Sequence, residues 1–197
     1  MKPLLEAKFI KEPAQFVHEV FWNVSDILAA NSKLRDGLTK RQKAYAVVER
    51  IGDVLLDTVP YFDPFVAYGG HQLLGKVAFE KEKSENPEFA AFVEEAERRP
   101  ESRKLELNAY LTKPTTRLAR YPLLLEVVLK YTPDDNPDKE DLPKVIKMVK
   151  EFLEAVNLAS GKAENAYNIK QLAEQLSFKP GDTVVRAASR FSVGTEY

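Results

Sequence analysis

A central apolar segment constrains the fold of this chain more than any other feature. Between residues 105 and 132 the sequence reads LELNAYLTKPTTRLARYPLLLEVVLKYT. Its apolar residues recur at spacings of three, four and seven, which predicts a helix with one wide buried face. We expect this face to contain Leu107, Tyr110, Leu111, Leu118, Tyr121, Leu124, Leu125, Val128 and Leu129, and Leu123 to lie mostly in the core beside them.

Two prolines and four basic residues interrupt this pattern. Proline costs about 3 kcal/mol in a helix interior. Pro114 and Pro122 are therefore predicted to start, kink or restart helical segments. The basic residues fall largely off the apolar face, and they are Lys113, Arg117, Arg120 and Lys130. This pattern predicts a basic surface that could meet an acidic partner.

The first third of the chain predicts helices joined by short breaks. A helix is expected from Pro13 to about Asn31, followed by a turn at Asp36-Gly37. Thr39 can cap a second helix that stops at Pro60. A broken aromatic segment follows, in which Gly69-Gly70 would permit a bend.

The remaining pattern is also helical. Shorter helices are expected over residues 72–83 and 87–98, and a long one from Asp138 to Leu176 with Gly161 as its weakest point. The apolar stripe of the long helix is predicted to include Ile169, Leu172 and Leu176. No alternating strand pattern precedes Phe178. The predicted fold is an all-α, elongated multi-helix bundle.

Composition bounds the class of protein. With 197 residues and 44% hydrophobic content, a single domain with a sizeable core is expected. The net charge of -1 argues against nucleic-acid binding, and zero cysteines exclude a disulfide scaffold. No apolar run approaches the roughly 20 residues of a membrane span, and the N-terminus lacks a secretory signal. A cytoplasmic location without a transmembrane segment is the expectation.

No set of residues predicts covalent chemistry. His18 and His71 are the only histidines, so neither a zinc helix nor a histidine-supported triad can be assembled. The segment from Gly70 to Val77 is similar to a phosphate loop, but Val77 replaces the Ser or Thr that binds Mg²⁺. We therefore predict no metal site, no cofactor and no catalytic residue.

The central segment resembles the third conserved region of the Dbl homology domain, the helical catalytic module of Rho-family guanine nucleotide exchange factors. It departs from the usual pattern at Thr116, where many members carry glutamine. The surrounding sequence is similar to the fungal branch of this family. The matching positions are Lys113-Pro114, Arg117, Arg120-Tyr121-Pro122, Leu123-Leu124-Leu125, Leu129-Lys130 and Thr132.

The resemblance extends over nearly all of residues 2–180. Asn31, Ile51-Gly52-Asp53 and nearby residues are similar to the second conserved region. The family's first conserved helix and its pleckstrin homology domain find no counterpart in this sequence. The expected organisation is an N-terminally truncated Dbl homology domain over residues 1–178 and an extended tail over residues 179–197.

The resemblance implies a function and a set of contacts. The chain would bind a Rho-family small GTPase and stabilise its nucleotide-free form, so that GDP leaves without covalent chemistry. Arg120 would pair with acidic groups near switch 2, and Asn157 would hydrogen-bond backbone in the same region. Thr112 and Thr116 would contribute to the choice of GTPase. Each of these residues could instead have only a structural or solvent-exposed role.

A second hypothesis stays open on the sequence alone. A bundle that lacks one helix exposes a hydrophobic groove. The chain could therefore be an exchange-defective helical interaction fragment or scaffold. We expect the parent protein to exchange nucleotide and this chain alone to do so poorly. Membrane recruitment would come only through the missing regions.

Overall fold

The computed structural model describes residues 2–176, which fold as a helical bundle. Within that range no strand is present, so the predicted all-α class is confirmed. The predicted tail over residues 179–197 lies outside the described part. In chain order the helices are α1 (Lys2–Leu5), α2 (Pro13–Phe21), α3 (Val24–Ala44), α4 (Gly52–Thr58), α5 (Asp63–Glu85), α6 (Pro87–Arg98), α7 (Leu107–Leu111), α8 (Lys113–Tyr131) and α9 (Asp138–Gln175).

The central segment forms two helices. Helix α7 ends at Leu111 and α8 begins at Lys113, with Pro114 in its first turn. Proline fits there because the backbone N–H that it lacks would have no helical partner. Pro122 lies inside α8, where it removes the hydrogen bond to the carbonyl four residues earlier. The predicted helix start at Pro114 is confirmed, whereas α8 neither starts nor restarts at Pro122, where a kink stays a prediction.

The predicted breaks in the first third were wrong. Helices α2 and α3 are separated at Trp22, whose φ is 45°. Helix α3 then continues through Asp36-Gly37, and residues 45–51 are not helical, so neither the turn nor the 39–60 helix exists. A Cβ on Gly37 would lie 2.8 Å from Val54 Cγ1. This glycine therefore allows α3 to approach α4 closely and does not form a turn.

Helix α5 runs unbroken through Gly69-Gly70, so the predicted bend was also wrong. A Cβ on Gly69 would lie 2.7 Å from Val156 Cγ1 of α9. The glycine therefore permits close packing of two long helices. The predicted helix over residues 72–83 is the second half of α5, and the one over residues 87–98 is confirmed as α6.

The core consists of two clusters that α5 joins. The larger cluster packs α3, α4 and the first half of α5 against α8 and α9. The smaller cluster packs α1 and α2 against the second half of α5 and α6. Completely buried members of the larger cluster include Phe62, Phe65, Leu118, Leu142, Val145 and Val149.

Helix α9 is the longest element. Its 38 residues extend over about 57 Å, and the helix continues through Gly161, the position that the sequence indicated as its weakest point. The last core residue on α9 is Val156. Ile169, Leu172 and Leu176 are each more than half exposed, so the predicted buried stripe was wrong at this end. Neither core cluster includes residues that far along α9, because the other helices pack against its first half.

Candidate functional site

Two threonines mark the junction between α7 and α8. Thr112 lies between the two helices, and its hydroxyl donates to the carbonyl of Ala109 at 3.0 Å. The Thr116 hydroxyl donates to the carbonyl of Thr112 at 2.8 Å. Both side chains are exposed. Each hydroxyl oxygen keeps acceptor lone pairs, so it can receive an N–H from a binding partner.

Helix α5 holds this junction in place. The buried Tyr68 hydroxyl donates to the carbonyl of Leu111 at 2.6 Å, and burial raises the pKa of Tyr68 to about 12. The hydroxyl therefore stays protonated and keeps its role as a donor. The Thr115 hydroxyl lies 3.1 Å from Gln72 Oε1. Two side chains of α5 thus hydrogen-bond to the segment where α7 ends and α8 begins.

Helix α8 presents basic side chains without intramolecular counter-ions. Among residues 2–176, no carboxylate oxygen lies within 4.0 Å of the side-chain nitrogens of the four basic residues of α8. Arg41 and Arg50, in contrast, each donate to an aspartate at 2.7 Å. None of the four charges is therefore neutralised by an ion pair within the described part of the chain. The four basic residues are Lys113, Arg117, Arg120 and Lys130.

A buried tyrosine supports this basic surface. Tyr121 is only 7% exposed, and its hydroxyl donates to Asn31 Oδ1 at 2.8 Å. The Asn31 amide donates in turn to the carbonyl of Ile27 at 3.0 Å. The guanidinium of Arg117 lies over the Tyr121 ring, 4.7 Å from its centroid. Sequence reasoning missed the Asn31–Tyr121 hydrogen bond because it joins residues 90 positions apart.

Helix α9 brings Asn157 alongside α8. Lys139 donates to the carbonyl of Thr132 at 2.6 Å, and Lys150 pairs with Glu126 at 2.9 Å, so α9 returns along α8. Arg120 lies six residues before Glu126, and Asn157 lies seven residues after Lys150. At 1.5 Å per residue both lie about 9–11 Å from that ion pair in the same direction. Arg120 and Asn157 are therefore at the same level of the helix pair, and both are exposed.

The second half of α8 exposes an apolar strip. Its residues are Leu123 (64% exposed), Leu124 (50%), Val127 (56%), Val128 (40%) and Tyr131 (76%). The prediction that Leu123, Leu124 and Val128 are buried was therefore wrong. The predicted burial of Tyr110 on α7 was also wrong, because this residue is 38% exposed. Three consecutive leucines cannot all point to one side of a helix. The inward face is filled by Leu118, Tyr121, Leu125 and Leu129.

A polar cluster ties the start of α9 to the start of α4. The buried carboxylate of Asp138 accepts the backbone N–H groups of Ile51 and Gly52 at 2.7 and 2.8 Å. A hydrogen bond from Arg50 lowers the pKa of Asp141. A hydrogen bond from Arg41 likewise lowers the pKa of Asp53. We call these residues the α4–α9 latch. The latch is distant from the candidate site, because Asp138 lies about 28 Å from Asn157 along α9.

The candidate site presents polar and charged side chains. In the described range no group of His, Asp and Glu side chains could hold a metal ion. None of the helices there combines the length and the apolarity that a bilayer crossing requires. Arg120, Thr112, Thr116 and Asn157 present a cation, two hydroxyls and an amide. Such groups recognise a partner by ion pairs and hydrogen bonds.

The fold defines an all-α helical module that exposes polar and basic side chains on α8 and α9. The chain belongs to the RhoGEF domain family, whose sequence model matches residues 1–157. This match confirms the resemblance that the central segment predicted.

Relatives and solved structures agree with this assignment. Rho1 guanine nucleotide exchange factor 1 of Schizosaccharomyces pombe is 57% identical over 184 residues, covering 92% of this chain and 14% of that protein. RHO1 GDP-GTP exchange protein 2 of Saccharomyces cerevisiae is 33% identical over 183 residues, covering 91% of this chain and 13% of that protein. The chain thus spans about a seventh of the length of these relatives. The DH/PH domains of p115-RhoGEF match with a TM-score of 0.79 and 25% identity, over 96% of this chain and 53% of that chain.

Proposed function

We propose that this chain is the exchange module of a guanine nucleotide exchange factor for a Rho-type small GTPase. One observation carries the proposal. Arg120 is exposed at the same level of the α8–α9 pair as Asn157, and no carboxylate of the described residues forms an ion pair with it. The two fungal relatives are, by name, exchange factors for Rho1. Residues 1–178 would form the Dbl homology part without its first conserved region, and residues 179–197 an extension.

The proposed mechanism is differential binding. A protein that binds the empty GTPase more tightly than the loaded one must lower the affinity of the GTPase for nucleotide by the same factor. Arg120 would pair with acidic groups near switch 2, and Asn157 would hydrogen-bond backbone there. Contacts to charged groups of this kind contribute about 1.5–3 kcal/mol each. No covalent bond forms or breaks, so the chain acts by binding alone.

The same proposal includes the choice of GTPase and the cellular location of the protein. Thr112 and Thr116, one helical turn apart, would contribute to the choice of GTPase through their free acceptor lone pairs. The protein would work in the cytoplasm. Its recruitment to membranes would depend on regions outside this chain.

The apolar strip on α8 favours a second candidate function. Contiguous exposed apolar patches are typical of interaction sites. The chain could serve as a helical interaction module that has little exchange activity alone. This candidate predicts tight association with a partner through Leu123, Leu124 and Val127, whether or not nucleotide leaves the GTPase.

Release of a fluorescent nucleotide from Rho-, Rac- and Cdc42-type GTPases tests the proposal. We expect the chain to accelerate release weakly, and a chain extended upstream to accelerate it strongly. Arg120→Glu should abolish the acceleration while circular dichroism shows unchanged helicity. Lys170→Glu is the control, because it makes the same charge reversal on α9 about 20 Å beyond Asn157. This variant should release nucleotide at the rate of the unsubstituted chain.

Two results would count against this account. If Arg120→Glu behaved like Lys170→Glu, the assignment of the binding surface would be wrong. If the extended chain accelerated release from none of the three GTPases, the interaction module would be the better description. Equally strong release by the two chain lengths would refute the expectation that this chain alone is weak.

A further inference from the structure

We propose that Lys113 and Arg117 extend Arg120 into a cationic stripe that contacts a carboxylate-bearing surface of the GTPase. This inference rests on the proposed function and adds two contact residues to it. It also states the chemistry of the partner surface, which must present more than one acidic group along a line.

The spacing of the stripe supports this role. Lys113, Arg117 and Arg120 are spaced by four and three residues, so they share one narrow face of α8. The face is about 10 Å long at 1.5 Å per residue. All three side chains are exposed, and no described carboxylate lies within 4.0 Å of them.

The fold of α8 does not favour these charges. The first turn of α8 contains no acidic residue, although the N-terminus of a helix stabilises negative charge. Lys113 lies at that end, and the like charges of Lys113, Arg117 and Arg120 repel one another along the helix. Intramolecular contacts therefore do not account for this arrangement. An external row of carboxylates would neutralise it.

Arg117 is held ready for such a contact. Its guanidinium lies 4.7 Å from the centroid of the Tyr121 ring. The hydrogen bond to Asn31 fixes one end of Tyr121, and Phe62 packs beside the ring at 5.6 Å between centroids. The guanidinium thus rests on an immobile surface, which reduces the entropy that it loses on binding.

Lys130 provides a matched control on the same helix. It is exposed, and it too has no carboxylate within 4.0 Å among the described residues. It lies ten residues after Arg120. At 100° per residue, its direction around the helix axis differs from that of Arg120 by about 80°, so it lies outside the stripe. A general effect of net charge would act equally on Lys130 and on the stripe, whereas direct contact would not.

The test neutralises one cation at a time in the full chain. Lys113→Gln, Arg117→Gln and Lys130→Gln are compared in the release of a fluorescent nucleotide from a Rho-type GTPase, between about 25 and 300 mM salt. We expect the stripe substitutions each to lower kcat/KM by about 3- to 10-fold at low salt and to weaken its salt dependence. Lys130→Gln should change kcat/KM less than twofold. Arg117→Lys, which keeps the charge, should restore most of the loss.

The outcomes separate the inference from the proposed function. If wild type is active and Arg120→Glu is not, but the stripe substitutions behave like Lys130→Gln, then the stripe is wrong and the function stands. If wild type neither releases nucleotide nor binds the empty GTPase, both are wrong. Thermal unfolding by circular dichroism confirms that each variant is folded, as expected for exposed positions.

Discussion

Leu124 and Leu125 are neighbours in the sequence with opposite environments. Leu125 is 6% exposed and belongs to the larger core cluster, whereas Leu124 is 50% exposed on the apolar strip. Leu125→Ala should lower the free energy of unfolding by about 2–5 kcal/mol, because it leaves a cavity. Leu124→Ala should lower it by under about 1 kcal/mol, because its side chain is already half in water. Urea unfolding monitored by circular dichroism measures both values.

This pair tests how α8 is oriented in the bundle. Equal losses for the two substitutions, or a larger loss for Leu124→Ala, would mean that the inward face of α8 is wrongly assigned. The m-values should stay nearly unchanged, since each substitution removes only a very small part of the surface exposed on unfolding.

At the level of the helices, the α4–α9 latch predicts a loss of stability in acid. Asp53 and Asp141 have lowered pKa values because they accept hydrogen bonds from Arg41 and Arg50. A folded-state pKa below the unfolded value contributes stability that is complete above the unfolded pKa. That stability is lost as the pH falls below about 4 and through the lower folded-state values. Urea unfolding between pH 7 and pH 2.5 should show this decline.

Asp141→Asn separates the latch from general acid effects. The variant should be less stable than wild type at pH 7 and should lose less of its stability between pH 4 and pH 2.5. Glu164→Gln is the control, since Glu164 is exposed and has no ion pair within the described residues. An unchanged pH dependence in Asp141→Asn would show that the latch does not contribute to acid sensitivity.

The helices that the sequence predicted well are those with local boundary signals. Helix α6 begins at Pro87 after Asn86, whose side chain accepts the N–H of Phe89, and α9 follows a proline-rich loop. The continuity of α3 and α5 through Gly37 and Gly69 could not be predicted. Those glycines are explained by contacts with Val54 and Val156, which are distant in the sequence.

The sequence likewise predicts some features of the candidate site and not others. The exposure of Arg120 and Thr116 follows from helical periodicity, which places them away from Leu118 and Leu125. The apolar strip does not follow, because the burial of three consecutive leucines depends on which helices are available to cover them. The alignment of Asn157 with Arg120 depends on the register of α8 and α9. That register is set by contacts such as Glu126–Lys150.

For the molecule as a whole, α5 is a scaffold for α8 and α9, which form the proposed binding surface. Tyr68 and Gly69 of α5 position the start of α8 and the middle of α9. The latch anchors the far end of α9 against α4. The exposed groups of α8 and α9 are therefore held on rigid helices before any partner binds, which lowers the entropic cost of binding.

The proposed function requires that this surface distinguishes an empty GTPase from a loaded one. The most direct measurement is the affinity of the chain, by isothermal titration calorimetry, for one Rho-type GTPase prepared without nucleotide and again with GDP and Mg²⁺. We expect tighter binding to the empty form, and we expect Arg120→Glu to lose this preference. Equal affinity for the two forms would contradict this expectation, because a ligand without differential affinity cannot shift the equilibrium of nucleotide binding.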